Sequence, residues 1–118
     1  MTIENIQIVA SDGAHSGQRI LRLRGPLNIH TIFDFQAAVK KEDSPALIVD
    51  FSGVPYMDSA GLGAVVGAFV SAQRSNRKVA VAGMNDRVKA LVSMTQVSKL
   101  FQPYATVEDA ERVIASSH

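Results

Sequence analysis

The sequence predicts one α/β domain over residues 1–118, a small mixed sheet of about five strands packed with about four helices. Short apolar runs such as Ala46–Phe51 and Lys78–Ala82 have the length and composition of buried strands. Between them lie longer segments whose apolar residues recur at helical spacing. The resulting order, β-β-α-β-α-β-α-β-α, contains neither an internal repeat nor a linker, as one sheet with helices on it requires.

The first strand is predicted over Ile3 to Val9, and the Asp12-Gly13 to Ser16-Gly17 cluster is a turn. Arg19 to Arg24 alternates and predicts a second strand antiparallel to the first. Its three arginines could form an anion-binding stripe, but a half-exposed sheet face is the favoured reading. Gly25-Pro26 ends that strand. Asn28 is a candidate N-cap for a helix from Ile29 to about Lys40, with Ile29, Ile32, Phe33, Phe35 and Val39 on its apolar side. After the loop Lys41–Pro45, residues 46–51 form a nearly continuous apolar strand, as expected where both faces are covered. A helix over Ala60 to about Arg74 follows, then the turn Ser75-Asn76-Arg77 and the strand Lys78–Ala82. Asn85 can cap a third helix carrying Val88, Leu91 and Val92, and a short strand is predicted near Leu100-Phe101. Thr106 with Asp109 resembles a capping box that opens a last helix to about Ala115.

Composition narrows the function. A chain of 118 residues with 47% hydrophobic and 19% charged residues is ordinary for a soluble globular protein with one core. A net charge of +1 gives no general attraction to nucleic acid or to a membrane surface. With no cysteine, disulfides, thiolate metal sites and cysteine nucleophiles are excluded. The N-terminal Met-Thr-Ile-Glu-Asn-Ile-Gln lacks the features of a signal peptide. The longest uncharged stretch, Ser59 to Gln73, is shorter than the roughly 20 residues that span a bilayer. These features predict a cytoplasmic protein without direct membrane insertion.

The stretch Tyr56–Phe69 organises the chain. Asp58-Ser59 opens the second helix, and both residue types favour the N-cap, where their oxygens accept from unpaired N–H groups. Ser59 is thereby predicted at the positive end of a helix, at the carboxyl edge of a strand, a place that suits a negative group. A helical projection of Ala60–Arg74 gathers Leu62, Val65, Val66, Phe69 and Gln73 on a core face, with Val70 at its margin. The opposite side carries Ala60, Ala64, Gly67 and Ser71, flanked by Gly63 and Ala68. No charge stands there, and each glycine costs the helix about 1 kcal/mol relative to alanine. Either a second layer of this protein or another protein approaches that backbone closely.

Enzyme-like readings are weak. Gly61-x-Gly63-x-x-x-Gly67 has something of a dinucleotide-binding glycine pattern, but Ser52–Asp58 separates it from the preceding strand, and no acidic residue ends Lys78–Ala82. Ser59 lies in no nucleophile elbow, and nothing in the sequence brings His30 to it as a base. His15, His30 and His118 lack metal-ligand spacing. No catalytic residue, cofactor or metal is predicted.

The segment Asp50-Phe-Ser-Gly-Val-Pro-Tyr-Met-Asp-Ser-Ala-Gly-Leu-Gly63 closely resembles the signature of the STAS domain, in particular of the bacterial anti-sigma factor antagonists. The resemblance extends to Gly25-x-Leu27, to Val88-Lys89-x-Leu91 and to Val97-x-x-Leu100-Phe101. It implies a small mixed sheet with helices, and it matches Ser59 to a serine phosphorylated by a partner kinase that doubles as an anti-sigma factor. The unphosphorylated antagonist binds that kinase and frees the sigma factor; phosphorylation ends the binding and a PP2C-type phosphatase restores it. Many members carry an acidic residue at the positions of Pro26 and Asn28, where this chain has none. The second serine often found in the motif is Ala60 here, so Ser59 is its only hydroxyl. The resemblance and the small-residue face together predict a partner surface of Asn28, Asp58, Ser59, Ala60, Gly61, Gly63, Ala64 and Gly67. The alternatives are a STAS subunit of an ABC-type lipid transporter or signalling scaffold, and, less favoured, a nucleotide-binding or hydrolytic protein using the glycines near Ser59.

Overall fold

A computed structural model describes residues 5–96 and 103–116. The predicted strand at Leu100-Phe101 and the start of the predicted first strand at Ile3 lie outside the described residues. Among the described residues eight elements follow in order. They are β1 (Gln7–Asp12), β2 (Gln18–Arg24), α1 (Ile32–Lys41), β3 (Ala46–Gly53), α2 (Ser59–Arg74), β4 (Lys78–Ala82), α3 (Asp86–Ser93) and α4 (Val107–Ser116). Among the described residues the sheet has four strands, in the order β1-β2-β3-β4. The place of a further strand is touched by a single parallel bridge between Ala82 and Tyr104.

β1 and β2 form the predicted antiparallel hairpin, from Gln7 opposite Arg24 to Asp12 opposite Arg19. β2, β3 and β4 then run parallel, each joined to the next through a helix, as parallel pairing requires. Strand alternation sorts the interior into two layers. Leu21, Leu23, Leu47, Val49, Phe51 and Val81 point to the face covered by α1, α2 and α3, where Phe35, Leu62, Val65, Val88 and Val92 meet them. Ile20, Ile48, Ala80 and Ala82 point the other way, onto Val107 and Ala110 of α4. β3 is buried on both faces, which accounts for its unbroken apolar run.

The predicted caps of the later helices hold. Asn85 Oδ1 accepts from Val88 N–H at 2.9 Å, and Thr106 Oγ1 accepts from Asp109 N–H at 3.1 Å. Helix α1 departs from its prediction. The regular helix begins at Ile32 after Thr31, and Asn28 caps the single turn ahead of it, its Oδ1 accepting from His30 N–H at 2.9 Å and its carbonyl from Ile32 N–H at 3.0 Å. Thr31 completes that turn by accepting from Asn28 N–H at 3.0 Å and donating to the Pro26 carbonyl at 2.9 Å. Ile29 and Phe33, expected on the apolar side, are 56% and 71% exposed. The arginines of β2 follow the favoured reading. Arg19 pairs with Asp12 at 2.8 Å and Glu42 at 2.7 Å, and Arg22 donates to Ser11 Oγ at 2.8 Å.

Candidate functional site

The carboxyl end of β3 and the start of α2 meet the loop that leaves β2. Past the hairpin strand, Leu27 makes a parallel bridge with Met57; its N–H donates to Tyr56 at 3.2 Å, and its carbonyl accepts from Asp58 N–H at 3.2 Å. Two loops thus run side by side beneath the first turn of α2.

Asp58, rather than Ser59, is the N-cap. Its backbone is extended, Oδ1 accepts from Gly61 N–H at 2.9 Å, and its carbonyl accepts from Leu62 N–H at 2.9 Å. Oδ2 reaches across to Ile29 N–H at 3.3 Å, so one carboxylate ties the helix start to the 28–31 loop. Ser59 becomes the first residue inside α2 and is exposed. Its hydroxyl sits where the helix field is positive and first-turn N–H groups point outward.

The predicted partner residues divide. Ser59, Gly63, Gly67 and Ser71 are exposed and recur every fourth position, so they form one stripe along α2, with Ala60 half-buried beside it. A Cβ added to Gly63 or Gly67 would meet nothing within 4 Å. Ala64 departs from the prediction. It is 6% exposed, because α2 packs against α1 as well as against the sheet, and the small side chain lets the two helices approach. Gln73, expected in the core, is exposed for the same reason. Gly61 is buried too, since a Cβ there would overlap the Leu27 carbonyl oxygen and lie 2.7 Å from Met57 Cγ. Asn28 is only 4% exposed, with Nδ2 donating to the Tyr56 hydroxyl at 3.2 Å. Its side chain shapes the loop from within.

Three exposed residues absent from the sequence-based set stand on the 28–31 loop, α1 and α3. Ile29 stands beside Asp58, and Phe33 follows one turn later on the outside of α1. Arg87, on the first turn of α3, stacks over the Tyr56 ring 5.4 Å from its centroid. Their apolar or charged types alone gave no signal. A groove of about 290 Å3 between α1 and α2 borders the glycine stripe, with Val39 and Lys40 on one side and Gly67 and Ser71 on the other.

The arrangement does not suit phosphate cradling by a glycine loop. Gly61, Gly63 and Gly67 all lie inside α2, and Gly61 faces the Leu27 carbonyl. No hydrogen bond joins His30 to Ser59 among the described residues, although the 28–31 loop is brought beside the start of α2. No described helix is long and apolar enough to cross a membrane, and no described group of His, Asp or Glu could hold a metal ion.

The model of the STAS domain matches residues 5–110. The anti-sigma F factor antagonist of Paenibacillus polymyxa is 27% identical over 94 residues, which cover 76% of this chain and 80% of that one. The anti-sigma-B factor antagonist of Listeria monocytogenes is 38% identical over 56 residues, about half of either protein, at 48% and 49%. An anti-sigma factor antagonist from Mycobacterium paratuberculosis has the same fold, with a TM-score of 0.83, 21% identity and coverage of 93% of this chain and 94% of its own.

Proposed function

The chain belongs to the STAS domain family, and on that premise we propose that it is an anti-sigma factor antagonist, a phospho-switched binding module without catalysis of its own. Its partner in this reading is an anti-sigma factor that is also a serine kinase, and a PP2C-type phosphatase resets it. The observation that carries the proposal is the position of Ser59, an exposed hydroxyl at the first residue of α2 beside an uncharged stripe of Gly63, Gly67 and Ser71. In the unmodified state the partner packs on that stripe and on Ile29 and Phe33, burying apolar surface against bare helix backbone.

Phosphorylation of Ser59 adds about −1.5 to −2 charges at the helix N-terminus. The first-turn N–H groups and the helix field stabilise that charge, so the fold tolerates it, while the Asp58 carboxylate next door offsets part of the gain. A partner seated over the stripe must instead desolvate it. A penalty of about 3 kcal/mol weakens binding roughly a hundredfold. The switch in this proposal is an occluded interface rather than a refolded domain.

The test is incubation with the cognate kinase, recovered by pull-down from the native host, and ATP. One phosphate is expected, mapped to Ser59 and abolished in Ser59→Ala. The phosphorylated chain is expected to keep its amide shifts in β1 and β4 while losing the partner. Stoichiometric labelling at Ser71 or Ser93 instead would overturn the assignment, and shift changes spread across β1 and β4 would replace occlusion by a conformational switch.

A further inference from the structure

Arg87 is a cation held where its own helix opposes one. It is the second residue of α3, in the first turn, where the helix field is positive and a carboxylate is the favoured charge. Asp86 beside it has that charge, yet among the described residues no carboxylate pairs with Arg87. Its guanidinium rests instead on the face of Tyr56, 5.4 Å from the ring centroid. Both partners in this contact are fixed. Asn85 Nδ2 donates to the Val54 and Pro55 carbonyls at 3.2 and 3.1 Å, which sets the start of α3 against this loop. The Tyr56 hydroxyl accepts from Asn28 Nδ2 at 3.2 Å. Tyr56 and Asp58 are alternate residues of an extended run, and both reach the 28–31 loop. The ring that carries Arg87 and the N-cap of α2 therefore lie on one side of that run. Ser59, the next residue, stands at most about 11 Å from Tyr56 at Cα, within the combined reach of a phosphoserine and an arginine.

We infer that Arg87 is the clamp for a phosphate on Ser59, an assignment that rests on the phospho-switch proposed above and names the residue of this chain that senses the modification. On phosphorylation the guanidinium leaves the Tyr56 ring and pairs with the phosphate oxygens. A forked arginine–phosphate pair is stronger than a cation over an exposed ring, so the exchange is favourable. The neighbouring charges leave that role to Arg87. Both oxygens of Asp58 are engaged, Oδ1 by Gly61 N–H and Oδ2 by Ile29 N–H, and its charge repels the phosphate. His30, exposed on the 28–31 loop, is the rival cation, but an imidazole offers a phosphate a single N–H where a guanidinium offers a fork. The clamp moves side chains alone, in keeping with an interface that is occluded without refolding. It also withdraws the exposed cation of α3 as the stripe on α2 gains its negative charge, so a partner loses two features of the surface in one step.

The test uses the full chain with phosphoserine installed at position 59 during translation. The phosphorus resonance is followed against pH in the otherwise unchanged chain and in Arg87→Gln, Arg87→Lys and His30→Gln, with circular dichroism as the control for folding. A guanidinium on the phosphate favours the dianion, so the second phosphate ionisation is expected below its ordinary value of about 6. Arg87→Gln is expected to raise it by about half a unit or more, and Arg87→Lys, which keeps the charge but not the fork, by less. The ring protons of Tyr56, one of two tyrosines in the chain, are expected to shift when phosphoserine replaces Ser59, and not to shift when the same change is made in Arg87→Gln. Equal ionisation with and without Arg87, a larger rise in His30→Gln than in Arg87→Gln, or a Tyr56 ring indifferent to the phosphate would each overturn the inference. Because no kinase is needed, these outcomes are separate from a failure of the cognate kinase to label Ser59, which would defeat the phospho-switch itself.

Discussion

Gly61 and Gly67 stand less than two turns apart on the same helix and are glycine for opposite reasons. Gly61 is held against the Leu27 carbonyl, where the backbone of one loop touches the backbone of α2 and no Cβ fits. Gly67 faces open space, so nothing among the described residues asks for it. The first is a packing residue and the second weakens the helix without internal compensation. The difference teaches how one residue type can serve the core and the surface of a single element, and which of the two a partner can use.

The strongest way to break the comparison is Gly61→Ala. We predict a loss of about 3 kcal/mol or more, from forcing apart the Leu27 carbonyl and the first turn of α2. Thermal or urea denaturation measures it; unfolding at the wild-type midpoint would mean that the two loops separate freely and that Gly61 and Gly67 do not differ. Next in size is a matched pair of arginines. Gly67→Arg is expected to keep the fold and to weaken partner binding by about a hundredfold or more, equivalent to about 3 kcal/mol. Ala64→Arg, one turn earlier and buried between α1 and α2, is expected to destabilise the domain itself. Reversal of that pattern, with Gly67→Arg unfolded by circular dichroism, would place the stripe inside the protein.

Much of this was legible in the sequence. The double-sided burial of β3 was visible as an unbroken apolar run, and the Asn85 and Thr106 caps were visible because each stands directly before a periodic segment. The site was legible as a place, a helix start at Asp58-Ser59, but not as a surface. Asn28 was legible as a capping residue but not as one that caps a single turn ahead of α1, because the Thr31 bond to the Pro26 carbonyl that holds this loop leaves no local pattern. Ala64 was misassigned because helical periodicity gives one apolar direction, whereas α2 has two neighbours, one of them a helix more than twenty residues earlier. Nothing local distinguishes Gly61 from Gly67; only the path of the Leu27 loop does.

Two smaller effects sharpen the picture. Asp58→Ala removes the acceptor of both Gly61 and Ile29 N–H, and we predict a loss of about 1 to 2 kcal/mol with a lowered melting temperature. A larger fraction of that loss is expected at the first turn of α2, visible as faster amide exchange at Gly61 and Leu62 than elsewhere in the helix. The smallest effect has the opposite sign. Gly67→Ala is expected to raise stability by up to about 1 kcal/mol, since the added methyl meets nothing and the helix gains intrinsic propensity. A fall in stability would show that the open space is filled in solution.

The bridge between Leu27 and Met57 has a consequence for how such a protein diversifies. Because the Leu27 carbonyl fills the space beside Gly61, one position in the middle of the signature has no freedom, while among the described residues an added Cβ at Gly63 or Gly67 meets nothing within 4 Å and Ser71 is exposed. Duplicated copies could therefore be insulated from one another by exchanging side chains at those surface positions alone, adding a clash against the wrong partner without disturbing the fold. Recognition and foldability are interleaved along α2, yet they can be altered separately, one residue at a time.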